Sequence, residues 1–174
     1  MRVGIGYDIH PFDPNRVLVL GGVRLEGAWG LRGHSDADVL LHAIGDACLG
    51  AAALGDLGEH FPDSDATWRG APSAVLLAKI LELVRARGLD VHNVDATVVA
   101  ERPRLAPHRA AIRERLAQIL GIPLDRVSVK ASTNNTLGAL GRAEGIGALA
   151  VVLLEDAVLP EDAPPRPAPP AVSS

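Results

Sequence analysis

His34-Ser35-Asp36-Ala37-Asp38-Val39-Leu40-Leu41-His42-Ala43-Ile44-Gly45-Asp46 combines a helix start with an apolar helix crossed by one polar stripe. Ser35 can cap the helix, and Asp36 and Asp38 fall in its first turn, where the helix dipole favours negative charge. Val39, Leu40, Leu41, Ile44, Ala47, Cys48 and Leu49 continue it to about Ala53. Asp38, His42 and Asp46 are each four residues apart, so they share a face. Burying a carboxylate–imidazole–carboxylate column costs free energy unless something pairs with it. The stripe therefore needs an occupant such as a metal, a phosphate or a polar substrate.

A partner for it lies near the N-terminus. Gly4-Ile-Gly-Tyr-Asp8-Ile-His10 has the pattern of a strand, and Asp8 and His10, two apart, leave it on the same side. With His42 they make an oxygen–nitrogen–nitrogen set, and three protein ligands with one open position is the arrangement of a catalytic zinc site. Taken singly, Asp-x-His also describes a surface turn, and His42 a hydrogen-bonded core histidine. Gly4-x-Gly6 is not a dinucleotide fingerprint, because no third glycine and no helix follow it.

The chain of 174 residues suits one domain. A formal net charge of −4 without a basic cluster excludes a nucleic-acid patch or a membrane-binding basic helix. Cys48 is the single cysteine, so there is no disulfide framework and no Cys-rich zinc site. The N-terminus begins at once with a strand pattern, without the charged and apolar regions of a signal peptide. No apolar run approaches membrane-spanning length. The expected location is the cytoplasm.

The other elements follow from periodicity and punctuation. Arg2 to Asp13 reads as a first strand ended by Pro11 and Pro14, and Val17 to Glu26 as a strand broken by a hairpin or bulge at Gly21-Gly22. Ala28 to Gly33 reads as a loop. Gly45 and Gly50 would let another backbone approach the helix. Leu54 to Asp65 is a loop rich in glycine and aspartate. Ser73 caps a second helix with Leu76, Leu77, Ile80, Leu81 and Val84 inward, and Gly88 stops it. A strand over Val91 to Ala100 leads into the loop Glu101 to Pro107, then a third helix ending at Gly121. Val127 to Ala131 is a short strand, followed by Ser132-Thr-Asn-Asn-Thr136, whose hydroxyls and amides suit either a phosphate cradle or an ordinary turn. No Gly-Lys-Ser/Thr is present, so there is no P-loop.

Ile146 to Leu154 is a nearly continuous apolar strand, which implies burial on both sheet faces. Three helices can cover one face, so the other calls for a second subunit. The fold class is a two-layer α/β (α+β) arrangement: a mixed sheet of about four main strands, helices on one face, the other face in an oligomer. Residues 1–157 form one domain, and 158–174 a Pro/Ala-rich tail.

Seven ordered motifs carry a resemblance: Asp8-x-His10; His34-Ser35-Asp36-x-Asp38-x-x-x-His42; Gly55-Asp56-x-Gly58; Phe61-Pro62-Asp63; Pro107-His108; Val129-Lys130-Ala131; and Gly141-Arg142-x-Glu144-Gly145-Ile146. From about Met1 to Glu155 the chain closely resembles the 2-C-methyl-D-erythritol 2,4-cyclodiphosphate synthase family of the non-mevalonate isoprenoid pathway. The resemblance implies a cytoplasmic homotrimeric lyase with active sites between subunits. It also implies a reaction in which the 2-phosphate of 4-diphosphocytidyl-2-C-methyl-D-erythritol 2-phosphate attacks the β-phosphorus and expels CMP.

By that resemblance Asp8, His10 and His42 hold Zn2+ or another divalent ion, and Mg2+ or Mn2+ bridges the substrate phosphates. His34 and Thr133 stabilise the transition state, Ser35 contacts phosphate, and Asp46 has a supporting polar role. Asp56, Leu57 and Gly58 hold substrate hydroxyls. Phe61, Pro62, Asp63, Ser64 and Asp65 line the erythritol side. Ala100, Glu101, Arg102, Pro103, Arg104, Leu105 and Ala106 take the cytosine from a neighbouring subunit. Ser132, Asn134 and Asn135 flank Thr133 at the phosphates. Ala139, Arg142 and Glu144 lie near a central channel where family members can hold an isoprenoid diphosphate.

Two positions depart from the family pattern. Asn135 stands where glutamate is common as a ligand to the bridging ion, and a neutral carbonyl is a weaker ligand for a hard cation. Ala139 replaces a bulkier aromatic. Two other classes use the same residues: a zinc phosphohydrolase with water as nucleophile, and a non-catalytic trimeric protein that binds nucleotides or isoprenoid diphosphates.

Overall fold

The computed structural model describes residues 1–62 and 64–157. Asp63 and the tail at 158–174, both named above, lie outside the described residues. Five strands form one sheet in the order β2-β1-β5-β3-β4. They are β1 (Arg2–Leu20), β2 (Val23–Leu31), β3 (Leu89–Val99), β4 (Val127–Ser132) and β5 (Gly145–Asp156). Pairing is antiparallel except between β3 and β4. The helices are α1 (Val39–Ala52), α2 (Leu57–His60), α3 (Ser73–Ala86), α4 (Arg109–Leu120) and α5 (Gly138–Gly141).

The hairpin expected at Gly21-Gly22 is present, both residues at positive φ, and it makes β2 a full fifth strand. Two boundaries differ from the expectation. β1 does not stop at Pro11 or Pro14: Pro11 still pairs with Gly145, and Pro14 falls where the register with β2 shifts between Asp13 and Val17, so its missing N–H interrupts nothing. Ala28 to Leu31, expected as loop, is the end of β2.

The period-2 pattern of β1 builds the interior. Gly4 and Gly6 are buried beneath α1, while Val3, Ile5, Tyr7 and Ile9 point to the open side. A Cβ on Gly6 would fall 2.8 Å from Ala47 N, and one on Gly4 would fall 2.6 Å from Ala51 N. The close backbone approach expected of the helix glycines thus belongs to the strand. Gly50 meets only Ile5 O at 4.0 Å, and Gly45 meets the Ile80 side chain. α1 is apolar nearly all round, because it is sandwiched between the sheet and α3.

β5 is buried on the helix side, but Leu149 and Val151 on its other side remain about 40 % exposed. With Val3, Ile5, Tyr7 and Ile9 they form an apolar strip on the open face. Among the described residues no helix is long and apolar enough to cross a membrane.

Candidate active site

Asp8 and His10 follow Gly4 and Gly6 on the same face of β1, so they emerge just beyond the contact with α1. His42 lies in the first turn of α1, the end that meets them. Asp8 Oδ2 is 2.9 Å from both His10 Nε2 and His42 Nδ1, and those two nitrogens are 3.2 Å apart. All three ligand atoms fit within 4.8 Å of one another. The side chains are 24 %, 18 % and 11 % exposed, so the cluster opens to one side only. Burial opposes ionisation of Asp8, but hydrogen bonds and charge from His10 and His42 outweigh it and hold the carboxyl well below its usual range. Burial likewise opposes protonation of His10, yet the adjoining Asp8 raises its pKa. Such a crowded anion–imidazole set suits a divalent cation, with each nitrogen offering a lone pair at an open cavity.

Both imidazoles are oriented from behind. His10 Nδ1 donates to Arg32 O at 2.8 Å, which leaves Nε2 as the inward lone pair. His42 Nε2 faces the hydroxyls of Ser73 at 2.8 Å and Ser35 at 3.1 Å.

The polar stripe along α1 is divided among three jobs. Asp38 does not face the cluster: it is the N-cap, accepting from Leu40 N and Leu41 N, and it also accepts from Gly21 N and Gly22 N. Its occupant is therefore the hairpin backbone. Burial pushes its carboxyl up against the opposing pull of those N–H groups. Ser35 is not the cap of α1; its hydroxyl accepts from Ala37 N. Asp46 faces the cavity and accepts from Leu57 N at 2.8 Å, tying α1 to α2, and burial raises its pKa.

A cavity of about 300 Å³ joins these groups, lined by Asp8, His10, His34, Ser35, His42 and Asp46 with Leu57, Gly58 and Phe61. His34 Nε2 is buried without a hydrogen-bond partner in the protein. An unpaired polar atom costs free energy unless a ligand pairs with it. The His34 loop is pinned by Arg16, which donates to Gly33 O at 2.9 Å and to Ser35 O, and by Gly70 N donating to His34 O.

Other expected residues lie elsewhere. Asp56 caps α2 through Glu59 N, and Asp65 caps the short turn at Ala66–Trp68. Pro62 and Ser64 are exposed. Ala100, Glu101 and Pro103 to Ala106 line a second cavity of about 530 Å³ with Ser132 and Thr133. Arg102 instead turns away, its guanidinium 4.5 Å from the Trp29 ring and 5.3 Å from Phe12. Glu101 accepts from Asn134 N at 2.9 Å, joining that loop to the Ser132–Asn135 turn. Ala139 and Arg142 are on or just after α5, with Arg142 paired to Glu144 at 2.6 Å.

Sequence reasoning missed Arg16, which pins the His34 loop, and Trp68 and Leu76, which also line the first cavity, and it misplaced Ser73. Ser73 does not cap α3; Pro72 occupies that position, and the Ser73 hydroxyl turns toward His42. A serine after a proline at a helix start carries no local mark of such a long-range partner.

A family model described as the YgbB family matches residues 1–155. A 2-C-methyl-D-erythritol 2,4-cyclodiphosphate synthase from Thermosynechococcus vestitus is 59 % identical over 155 residues, covering 89 % of this chain and 96 % of its own. A solved structure of 2C-methyl-D-erythritol-2,4-cyclodiphosphate synthase in its CDP-bound form superposes with a TM-score of 0.82 at 38 % identity, over 88 % of this chain and all of that one. The bifunctional IspDF from Campylobacter jejuni superposes at 0.85 and 42 % identity, over 88 % of this chain and 42 % of its own. The family match takes in the Asp8, His10 and His42 cluster and both cavities, and the chain belongs to the YgbB family.

Proposed function

We propose that this chain is a 2-C-methyl-D-erythritol 2,4-cyclodiphosphate synthase, a lyase acting in isoprenoid precursor synthesis in the cytoplasm. It converts 4-diphosphocytidyl-2-C-methyl-D-erythritol 2-phosphate to the cyclic diphosphate and CMP. The convergence of Asp8, His10 and His42 on one point at the wall of a cavity that also holds the unpaired His34 Nε2 carries this reading. Residues 1–157 are the catalytic unit.

A 2-phosphate oxygen forms a bond to the β-phosphorus. The bond from that phosphorus to the oxygen bridging the α-phosphorus breaks, and CMP leaves with that oxygen. The nucleophile is already ionised, so the chain needs no strong base. Its work is to bring two anionic groups together and to place donors where charge grows. Asp8, His10 and His42 would hold zinc, which when bound supplies a fixed positive charge and Lewis acidity to a phosphate oxygen. His34 Nε2 meets a phosphate oxygen, and Ser35 lies beside it. Asp46, Leu57, Gly58 and Phe61 take the erythritol, with Asp56, Pro62, Ser64 and Asp65 around its entrance.

The cytidine end is received by the second cavity, lined by Ala100, Glu101 and Pro103 to Ala106, with Thr133 and its neighbours at the diphosphate. Asn135 would offer its carbonyl oxygen to Mg2+ or Mn2+, which would supply positive charge to the phosphates. The two cavities are distinct within one protomer, which supports a homotrimer in which one subunit's metal cavity meets the next subunit's nucleotide cavity. The exposed strip of Val3, Ile5, Tyr7, Ile9, Leu149 and Val151 is apolar surface of the kind such assembly buries.

Phosphorus NMR of the cytidine diphosphate substrate with purified protein, Mg2+ and Zn2+ tests the reading. CMP and a cyclic diphosphate, lost on chelation, is the expected result. Inorganic phosphate or a linear diphosphate would replace it with a hydrolase, and CDP binding without turnover with a binding protein.

A further inference from the structure

We propose that Ser73, anchored by Asp36, is a positioning residue for His42: it fixes the ring orientation and tautomer that leave Nδ1 free for the metal. This rests on the reading that His42 is a metal ligand.

Donor and acceptor bookkeeping carries the assignment. Ser73 is 1 % exposed, so water cannot substitute for its partners. Its hydroxyl lies against Asp36 Oδ1, His42 Nε2 at 2.8 Å and Ser35 Oγ at 3.2 Å. An ionised carboxylate only accepts, so the single Ser73 proton goes to Asp36. Ser73 Oγ is then an acceptor toward the imidazole, and His42 Nε2 carries the N–H. A neutral imidazole with its proton at Nε2 has its lone pair at Nδ1, the atom beside Asp8 and His10 Nε2. Ser35 completes the network, accepting from Ala37 N at 3.1 Å and free to donate to Ser73. Asp36 is itself steadied by Asp38 N at 3.2 Å.

The two histidines thus obtain the same service by different means. His10 is oriented by the Arg32 carbonyl, which substitution cannot remove. His42 is oriented through side chains from two other segments, the loop before α1 and the first residue of α3. A carboxylate–hydroxyl–imidazole relay is the indirect form of the carboxylate–histidine pairing behind metal ligands, where loss of the outer partner costs 10–100-fold in affinity.

The test measures zinc affinity by chelator competition in full-length wild type, Ser73→Ala, Ser73→Thr, Asp36→Asn and His42→Ala. The expected loss for Ser73→Ala is about tenfold, at the low end of that range because Ser35 stays 3.1 Å from Nε2. Asp36→Asn keeps a weaker acceptor and falls between wild type and Ser73→Ala. Ser73→Thr restores the hydroxyl and recovers affinity relative to alanine. Nitrogen-15 NMR of the zinc-loaded wild type should show the His42 proton on Nε2. Zinc affinity of Ser73→Ala within twofold of wild type, or a proton on Nδ1 with Nε2 bare, overturns the inference. So does an affinity loss matched by a lower melting temperature of the metal-free protein, which marks a merely structural role. Undiminished zinc binding by His42→Ala would instead overturn the ligand reading beneath it.

Discussion

Replacing Gly6 with alanine should damage the metal site from the far side of the sheet contact. Gly6 lies under α1, and a Cβ there falls 2.8 Å from Ala47 N and 3.0 Å from Ala43 C, with the Ala43 carbonyl oxygen nearer still. These are backbone atoms of one rigid helix, so no side chain can swing aside. Moving Ala47 N from 2.8 Å to an ordinary 3.4 Å is a retreat of about 0.6 Å, and the carbonyl requires more. Metal-ligand distances tolerate about 0.2 Å. His42 is the residue before Ala43, whereas Asp8 and His10 stay on β1, so the retreat draws His42 away from its two partners. Overpacking of this kind costs about 1–3 kcal/mol, or a fall in Tm of roughly 2–12 °C for a chain of this size.

Gly50→Ala is the matched control. It sits on the same helix, meets only Ile5 O at 4.0 Å, and should gain about 0.5–1 kcal/mol from helix propensity. Thermal unfolding of the metal-free proteins and zinc affinity by chelator competition, measured well below each Tm, read the two effects apart. Gly6→Ala should lose stability and at least tenfold in zinc affinity, and Gly50→Ala neither. Wild-type zinc affinity in a folded Gly6→Ala protein would refute the idea that the β1–α1 spacing sets the metal geometry.

Other substitutions probe other links. Asp38→Ala removes the acceptor for Leu40, Leu41, Gly21 and Gly22 N–H groups, so urea titration should show a loss of about 3 kcal/mol or more; a loss under 1 kcal/mol would mean the hairpin is held by other contacts. The Lys130 hydrogen bond at 2.6 Å holds the Asp95 carboxyl below its usual range, so its contribution is present above about pH 4 and lost as pH falls through the depressed value. Asp95→Asn should therefore change stability at pH 7 by under about 1 kcal/mol, the pair being half-exposed, and flatten the loss of stability below pH 4 in urea titrations; an unaltered acid limb would exclude the pair. Asn135→Glu should raise the apparent Mg2+ affinity in the cyclisation assay, less the cost of placing glutamate at φ 49°; an unchanged affinity would mean that position 135 does not reach the ion.

What could be read in the sequence was whatever follows from local period and punctuation. Asp8 and His10 leave β1 together because strand period allows nothing else, and Gly121 ends α4 in the left-handed conformation expected of a C-terminal glycine. Asp38 was misread because its partners, Gly21 and Gly22, sit on a hairpin some 16 residues earlier, where helix periodicity gives no information. Ser73 was misread for the same reason: a serine at a helix start has a ready local explanation, and only packing of α3 on α1 brings it to His42. Pro11 and Pro14 looked like stops, but Pro11 stays in register with Gly145 while His10 Nδ1 takes the Arg32 carbonyl beside it, and Pro14 falls in a register shift. Three-dimensional partners thus reassigned polar residues that the sequence could only place on a face.

The separation of the two cavities leads to a quantitative test of the proposed assembly. In the proposed homotrimer His42 of one subunit and Thr133 of the next serve the same site. His42→Ala and Thr133→Ala proteins should each be inactive alone. When the two are co-expressed with different tags and assembled at random in equal amounts, a site is intact only if the first subunit is the Thr133 variant and its neighbour the His42 variant. That arrangement occurs at about one site in four, so the mixture should recover about a quarter of wild-type activity. A site built within one chain would recover none, because every chain carries one defect. Recovery near a quarter therefore supports sharing between subunits, and activity no higher than that of the separate variants would place both groups in one protomer and remove the case for a shared site.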